Sequence, residues 1–107
     1  MLLDEINQKR EEITSAIQIM KKRGIDLAER EAEYKKALAK MILLEREKGI
    51  PVTIINDICR GDPKIAQVRL ERDIAEVLYK TAHEKVLAVK VELHILENQF
   101  EMEWKNS

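Results

Sequence analysis

Apolar residues recur every three or four positions through residues 1–48, while the positions between them carry mainly Glu, Lys and Arg. Alternate steps of three and four from the start of the chain give a row that is mostly apolar. Its members are Leu3, Ile6, Arg10, Ile13, Ile17, Met20, Gly24, Leu27, Glu31, Tyr34, Leu38 and Met41. A heptad of this kind predicts one long helix over about residues 2–48, with a single packed seam.

One conflict lies within this predicted helix, in the stretch KKRGIDLAE at residues 21–29. Three basic residues precede Gly24, and Asp26 with Glu29 has the spacing of a capping box. The heptad nevertheless keeps its phase through Gly24, and a glycine inside a helix costs only about 1 kcal/mol. The pattern favours one long helix with Gly24 as a candidate kink, whereas a break at Gly24 would allow a compact three-helix monomer.

A second long helix is predicted over residues 63–104, because Asp62 is a favourable N-cap and Pro63 suits the first helical position. Its main apolar stripe is Ala66, Leu70, Ile74, Leu78, Ala82, Val86, Val89, Leu93, Leu96, Phe100 and Trp104. A second row runs beside it through Val77, Val91, Ile95 and Met102. An apolar face this wide indicates contact with two helices at once.

The two helices are separated by a connector at residues 49–62. Gly49 and Pro51 are typical of a helix end, Thr53 is a candidate cap for a short helix over residues 54–60, and Gly61 ends it. The apolar residues of the connector are predicted to close the end of the bundle; they are Ile50, Val52, Ile54, Ile55 and Ile58. The Arg-Gly-Asp triplet at residues 60–62 is then one helix end followed by the next helix start.

These elements predict an all-α fold in a single domain over residues 1–107, with two long antiparallel helices joined by a short helical connector. Two helices can cover only one face of each other, which leaves the second apolar face exposed. A coiled-coil-like bundle completed by dimerisation would bury that face. The sequence therefore predicts a homodimer.

Composition narrows the class of function. Charged residues make up 36% of the chain and aromatic residues 4%, and the formal net charge is −1. Both signs are mixed along the chain, so there is no bulk basic field of the kind that holds nucleic acid. The apolar runs are far shorter than the ~20 residues of a membrane span, and the N-terminus lacks the pattern of a signal peptide. These features predict a soluble, cytoplasmic protein that does not associate with a membrane.

Candidate chemistry is sparse. The sequence has no phosphate-binding glycine loop, no zinc-ligand spacing and no nucleophile motif. His83 and His94 lie about 16 Å apart along a helix, too far to share a metal within one chain. Cys59, the single cysteine, is predicted to be a small buried apolar residue. We therefore predict no enzymatic activity, no catalytic residue, no metal site and no cofactor.

Two groups of residues are candidates for binding a partner. The first is basic and contains Arg60, Lys64, Arg69 and Arg72, interleaved with acidic residues that include Asp73, four positions after Arg69. It is either a salt-bridged helix start or a contact for phosphate or an acidic partner. The second is Phe100 with Trp104, edged by glutamates. Either Trp104 packs against Leu2 and Leu3, or it is an exposed anchor for a partner.

Three segments carry a resemblance to other proteins: GIPVTIINDICRGDPKIA at residues 49–66, RLERDIAEVLYK at 69–80 and ELHILENQFEMEW at 92–104. They resemble small uncharacterised helical proteins of tailed phages and prophages of Gram-positive bacteria, over about residues 25–104. The matching positions are Gly49, Pro51, Val52, Thr53, Arg60, Gly61, Arg69, Arg72, Asp73, Tyr79, Leu96, Glu97, Gln99, Glu103 and Trp104. The resemblance implies a setting among phage replication, recombination or small accessory genes, and no catalytic residue.

Three hypotheses follow for function. The first is a non-enzymatic phage or prophage protein that binds and modulates a protein partner, either as an inhibitor of a host defence or nucleic-acid-processing enzyme or as a recombination accessory factor. The second is a nucleic-acid-binding module that uses Lys21, Lys22 and Arg23 with the basic group. The third is a structural oligomeric spacer.

Overall fold

A computed structural model describes residues 1–106. It contains three helices: α1 (Leu2–Glu47), α2 (Val52–Gly61) and α3 (Pro63–Asn106). No strand is present among the described residues. The prediction of an all-α fold, with two long helices joined by a short helical connector, is confirmed.

Helix α1 passes through Gly24 without a break and is 46 residues long. The capping-box spacing of Asp26 and Glu29 therefore does not start a new helix. Asp26 instead pairs with Arg30 one turn later, at 3.4 Å. The alternative of a chain broken at Gly24 is wrong.

The end of α1 is set by Gly49, as predicted. Gly49 has a φ of +81°, and its N–H donates to the carbonyl of Arg46 at 3.0 Å. The N–H of Ile50 donates to the carbonyl of Glu45 at 3.2 Å. This pair of hydrogen bonds is the Schellman motif, which requires a left-handed residue at the position of Gly49.

Helix α2 differs from its prediction in its first turn. Pro51 precedes the helix, and no side chain hydrogen-bonds to its N-terminus. Thr53 lies inside the first turn and is not the cap. The proline supplies the extended conformation before the helix, so no hydroxyl cap is needed to direct the chain.

Only one face of α2 is buried, and it consists of Ile55 and Cys59. Val52 and Ile54 are exposed, so the prediction that every apolar residue of the connector closes the bundle is wrong. The reason is geometric. Ile54 lies about 100° from Ile55 around the helix and points away from the buried face, and Val52 is the first residue of the helix, at its end.

Helix α3 starts as predicted. The Asp62 Oδ2 atom accepts hydrogen bonds from the backbone N–H groups of Lys64 at 3.0 Å and Ile65 at 3.1 Å. Pro63 is the first residue of the helix. The Asp62 carboxylate thereby satisfies two of the donors that a helix start leaves without a partner.

The chain forms two compact units, Met1–Arg23 with Leu78–Ser107, and Gly24–Val77. In the first unit α1 and α3 run antiparallel. Arg10 pairs with Glu97 at 3.3 Å and Glu12 with Lys85 at 3.0 Å, and Lys9 pairs with Glu92. The core of this unit is Ile6, Ala16, Ala82, Val86 and Val89.

The second unit has its own core of Ile55, Cys59, Ile65 and Ala75. Glu45 is the one charged residue that is buried among the described residues, with 8% of its surface exposed. Its carboxylate accepts a hydrogen bond from the Lys48 ammonium at 3.2 Å. Burial of this charge is therefore compensated by an ion pair.

In the first half of α1, every second position of the predicted heptad is displaced by one residue from the position that is packed. Ala16 is buried and Lys9 half-buried, where the pattern predicts Ile17 and Arg10. Leu3 and Ile17 are exposed. The predicted heptad and the structure agree at Ile6, Ile13 and Met20. At the positions between these, a helix of 3.6 residues per turn brings either of two adjacent residues close to the seam.

The first half of the predicted α3 stripe is also wrong. Ala66, Leu70, Ile74 and Leu78 are exposed, and Ile65 and Ala75 are buried instead. Each step of four residues advances about 40° beyond a full turn, so four steps back from Ala82 accumulate about 160°. Ala66 therefore lies nearly opposite Ala82. The later part of the stripe, at Ala82, Val86 and Val89, is confirmed.

Candidate interaction surfaces

The predicted basic group does not act as one surface. Arg60, Lys64 and Arg69 are exposed, and none of the three side chains forms an ion pair within residues 1–106. Arg72 is half-buried and engaged. Three members are thus available to a partner, and the fourth has a structural role.

The contacts of Arg72 explain that role. Its Nε and Nη2 atoms donate to Asp73 Oδ1 at 3.1 and 2.8 Å, and its guanidinium lies 4.6 Å from the centre of the Tyr34 ring. The hydrogen bond to Asp73 is the main factor that raises the pKa of Arg72. The carboxylate of Asp73 is therefore bound by Arg72, and among the described residues it forms no ion pair with Arg69, four positions before it.

The aromatic end of α3 is exposed. Trp104 is 75% exposed and Phe100 is 37% exposed. Leu3 is exposed as well, so the Trp104 ring is not buried against the start of α1. Glu101 pairs with Lys105 at 3.2 Å, and Glu103 is exposed and has no ion pair in the described part of the chain.

The first unit also carries a second apolar row on α3, which we call the outer row: Val91, Ile95 and Met102. These side chains are 59, 60 and 63% exposed. Val91 and Ile95 each follow a packed residue, Val89 and Leu93, by two positions. Two positions correspond to about 200° around a helix. The outer row therefore lies on the side of α3 opposite its packed face.

A groove in the second unit was not predicted from the sequence. It has a volume of about 500 Å³, and its apolar lining consists of Ala37, Met41, Leu44 and Ile65. The first three come from the last turns of α1, and Ile65 from the first turn of α3. The local sequence pattern does not predict such a groove, because its two walls are distant in sequence.

The charged lining of the groove is mainly basic. Lys40, Lys48 and Lys64 face Glu45 and Asp62 there. Lys48 binds Glu45, and the Asp62 carboxylate caps α3. Within residues 1–106 the ammonium groups of Lys40 and Lys64 have no ion pair. The groove therefore combines an apolar lining with two cations that are available to an anionic group.

The ion pairs of the first unit form a connected network around Glu12. Its carboxylate accepts hydrogen bonds from Lys9 and Lys85, each at 3.0 Å. These bonds, that from Lys9 first, lower the pKa of Glu12. The pKa of Lys9 is raised, mainly by its hydrogen bond to Glu92 and then by that to Glu12. This network joins α1 to α3 in the first unit.

The residues with reactive side chains do not assemble into a site. Cys59 is free and fully buried, as predicted. Its burial, with smaller effects of Glu45 and Asp62, raises the pKa of the thiol. His83 and His94 are exposed. Among residues 1–106 no three His, Cys, Asp or Glu side chains group closely enough to hold a metal ion.

None of the helices described in residues 1–106 combines the length and apolar character needed to cross a bilayer. Comparison with protein-family models, with curated proteins and with solved structures finds no match to this chain.

Proposed function

We propose that this chain is a non-enzymatic helical protein of a phage or prophage that binds a protein partner in the host cytoplasm and modulates its activity. The partner would be a host defence enzyme or a nucleic-acid-processing enzyme that it inhibits, or a recombination enzyme that it assists. The phage setting comes from the sequence resemblance of residues 25–104. The interaction role comes from the surface of α3.

The outer row is the observation that carries this proposal. Val91, Ile95 and Met102 are each about 60% exposed although they are large and apolar. A surface helix normally buries its apolar stripe and keeps its other side polar. Exposed apolar side chains that share one side of a helix are typical of a protein interaction site.

The proposal is tested by affinity capture from a bacterial lysate, with tagged wild type and with a variant that carries Val91→Glu and Ile95→Glu. We expect a protein recovered in stoichiometric amount by the wild type and lost by the variant, because two carboxylates cannot be buried in an apolar contact without a large desolvation cost. A control with Ser15→Glu and Gln18→Glu, both at exposed polar positions of α1, should retain the partner. Equal recovery by all three proteins contradicts the role of the outer row.

Treatment of the lysate with nuclease separates this proposal from the nucleic-acid hypothesis. A protein partner bound through an apolar surface survives nuclease. Recovery that requires intact nucleic acid, and that falls steeply with salt, would instead favour Lys21, Lys22 and Arg23, which are consecutive and exposed.

Self-association is part of the proposal. Each unit exposes large apolar side chains besides the outer row: Ile17 and Ile19 in one, and Ile25, Leu43, Leu70 and Ile74 in the other. A helical protein with apolar residues on more than one face reduces this exposure when two copies pair. We therefore propose that the chain acts as a homodimer.

A further inference from the structure

We infer that the groove of the second unit binds the C-terminal end of α3 from a second copy of this chain. In this contact Phe100 and Trp104 lie on the apolar lining, and Glu101 and Glu103 lie against the groove lysines. The inference rests on the self-association proposed above and names its interface. The groove and the end of α3 match in polarity and in charge.

The polarity match starts from the lining of the groove. Met41, Leu44 and Ile65 form the apolar surface of an open groove of about 500 Å³, a volume similar to that of many binding sites. Aromatic side chains bury about 150–250 Å² each and supply most of the energy of such contacts. Phe100 and Trp104 are four residues apart, so they share one edge of α3.

The charge match concerns two cations and two carboxylates. Glu101 and Glu103 lie on either side of the aromatic edge, each about 80° from its centre around the helix. Lys40 and Lys64 line the groove without an ion pair in residues 1–106. Glu101 is held only by Lys105, an exposed pair one turn away. Such pairs are weak, so Glu101 is readily transferred to a groove lysine.

The occupant comes from another chain. Lys64 lies in the first turn of α3 and Trp104 in its last turn. Two copies that exchange this contact reciprocally form a closed pair with the same interface used twice. The aromatic end of each copy is then covered by the groove of its partner.

The test is a charge exchange between two variants of the full chain. The groove variant carries Lys40→Glu and Lys64→Glu, and the tail variant carries Glu101→Lys and Glu103→Lys. When two copies of the same variant meet, the groove and the tail carry charges of the same sign. Each variant should therefore self-associate at least about tenfold more weakly than the wild type. An equimolar mixture restores opposite charges in both contacts and should recover the association. Sedimentation equilibrium measures all four samples.

Two further variants complete the design. Trp104→Ala should weaken self-association by about 30-fold, as expected for an aromatic anchor at an interface. A control with Lys21→Glu and Lys22→Glu reverses two exposed lysines outside the groove and should associate as the wild type does. All substituted side chains are exposed, and circular dichroism of each variant verifies that it is folded.

The outcomes separate this inference from the proposals on which it rests. If the wild type is monomeric at every concentration, both the self-association and its interface are wrong, while lysate capture still tests the function. If the wild type associates and the two charge variants associate equally well, the interface lies elsewhere. If both variants are monomeric and their mixture stays monomeric, the groove does not face the tail. Recovery only in the mixture supports the inference.

Discussion

At the scale of single residues, backbone geometry separates two glycines that look alike in the sequence. Gly49 has a φ of +81°, whereas Gly61 has no such left-handed conformation. A Cβ added at either position would meet no atom within 4 Å. Any difference between them on substitution therefore comes from the backbone and not from packing.

We expect Gly49→Ala to lower the free energy of unfolding by about 1–2 kcal/mol, because an L-residue is strained in the left-handed region. Gly61→Ala is the matched control and should be neutral or slightly stabilising, since alanine is the better helix former. Urea denaturation of the three proteins measures both effects. Equal destabilisation by the two substitutions would show that the left-handed turn is not what ends α1.

Burial likewise decides the chemistry of Cys59. The thiol is fully buried, and loss of hydration raises its pKa, so it stays protonated at neutral pH and is a poor nucleophile. We expect a thiol reagent to modify Cys59 at least about 100-fold more slowly in the native protein than in urea, because reaction must wait for local opening.

The control for this measurement is a chain with Cys59→Ala and Ser15→Cys, which moves the only thiol to an exposed position of α1. Its native and unfolded forms should react at similar rates. Fast modification of native Cys59 would mean that the core of the second unit opens readily.

At the scale of elements, the contact between α1 and α3 in the first unit depends on charge as well as on apolar packing. The Glu12 carboxylate accepts hydrogen bonds from Lys9, on its own helix, and from Lys85, on α3. Hydrogen bonds to the ionised form lower the pKa of Glu12.

A carboxyl whose pKa is lower in the folded than in the unfolded state stabilises the fold above its unfolded pKa, and this stabilisation is lost as the pH falls through the folded pKa. We therefore expect Glu12→Gln to destabilise the protein at neutral pH, and the difference from wild type to shrink as the pH falls below about 4. Glu11→Gln is the neighbouring control, at an exposed position without an ion pair in residues 1–106. A pH-independent difference would contradict the role of this network.

At the scale of the whole molecule, the proposed self-association links stability to concentration. A folded dimer is favoured over unfolded monomers by mass action, so its melting temperature rises with protein concentration. We expect this rise for the wild type across a hundredfold range of about 1–100 μM. The groove variant should show a smaller rise, and a melting temperature of the wild type that does not change would contradict a dimer.

The elements of this protein follow from local chemistry, which the sequence by itself determined. Gly49 and Asp62 act on the backbone groups of their nearest neighbours, so the end of α1 and the start of α3 are read from the chain directly. The continuity of α1 through Gly24 also agrees with local chemistry, because one glycine inside a helix costs only about 1 kcal/mol.

Only the tertiary structure decided which side chains of these helices are covered. Ala16 is buried in place of Ile17, and Leu70 and Ile74 are exposed, because the seam of a long helix is set by the partner that packs on it. The groove beside Lys40 and Lys64 is formed by residues distant in sequence, so no local pattern contains it. Local hydrogen bonds and helix period determine where helices begin and end, whereas non-local packing determines the surfaces left for a partner.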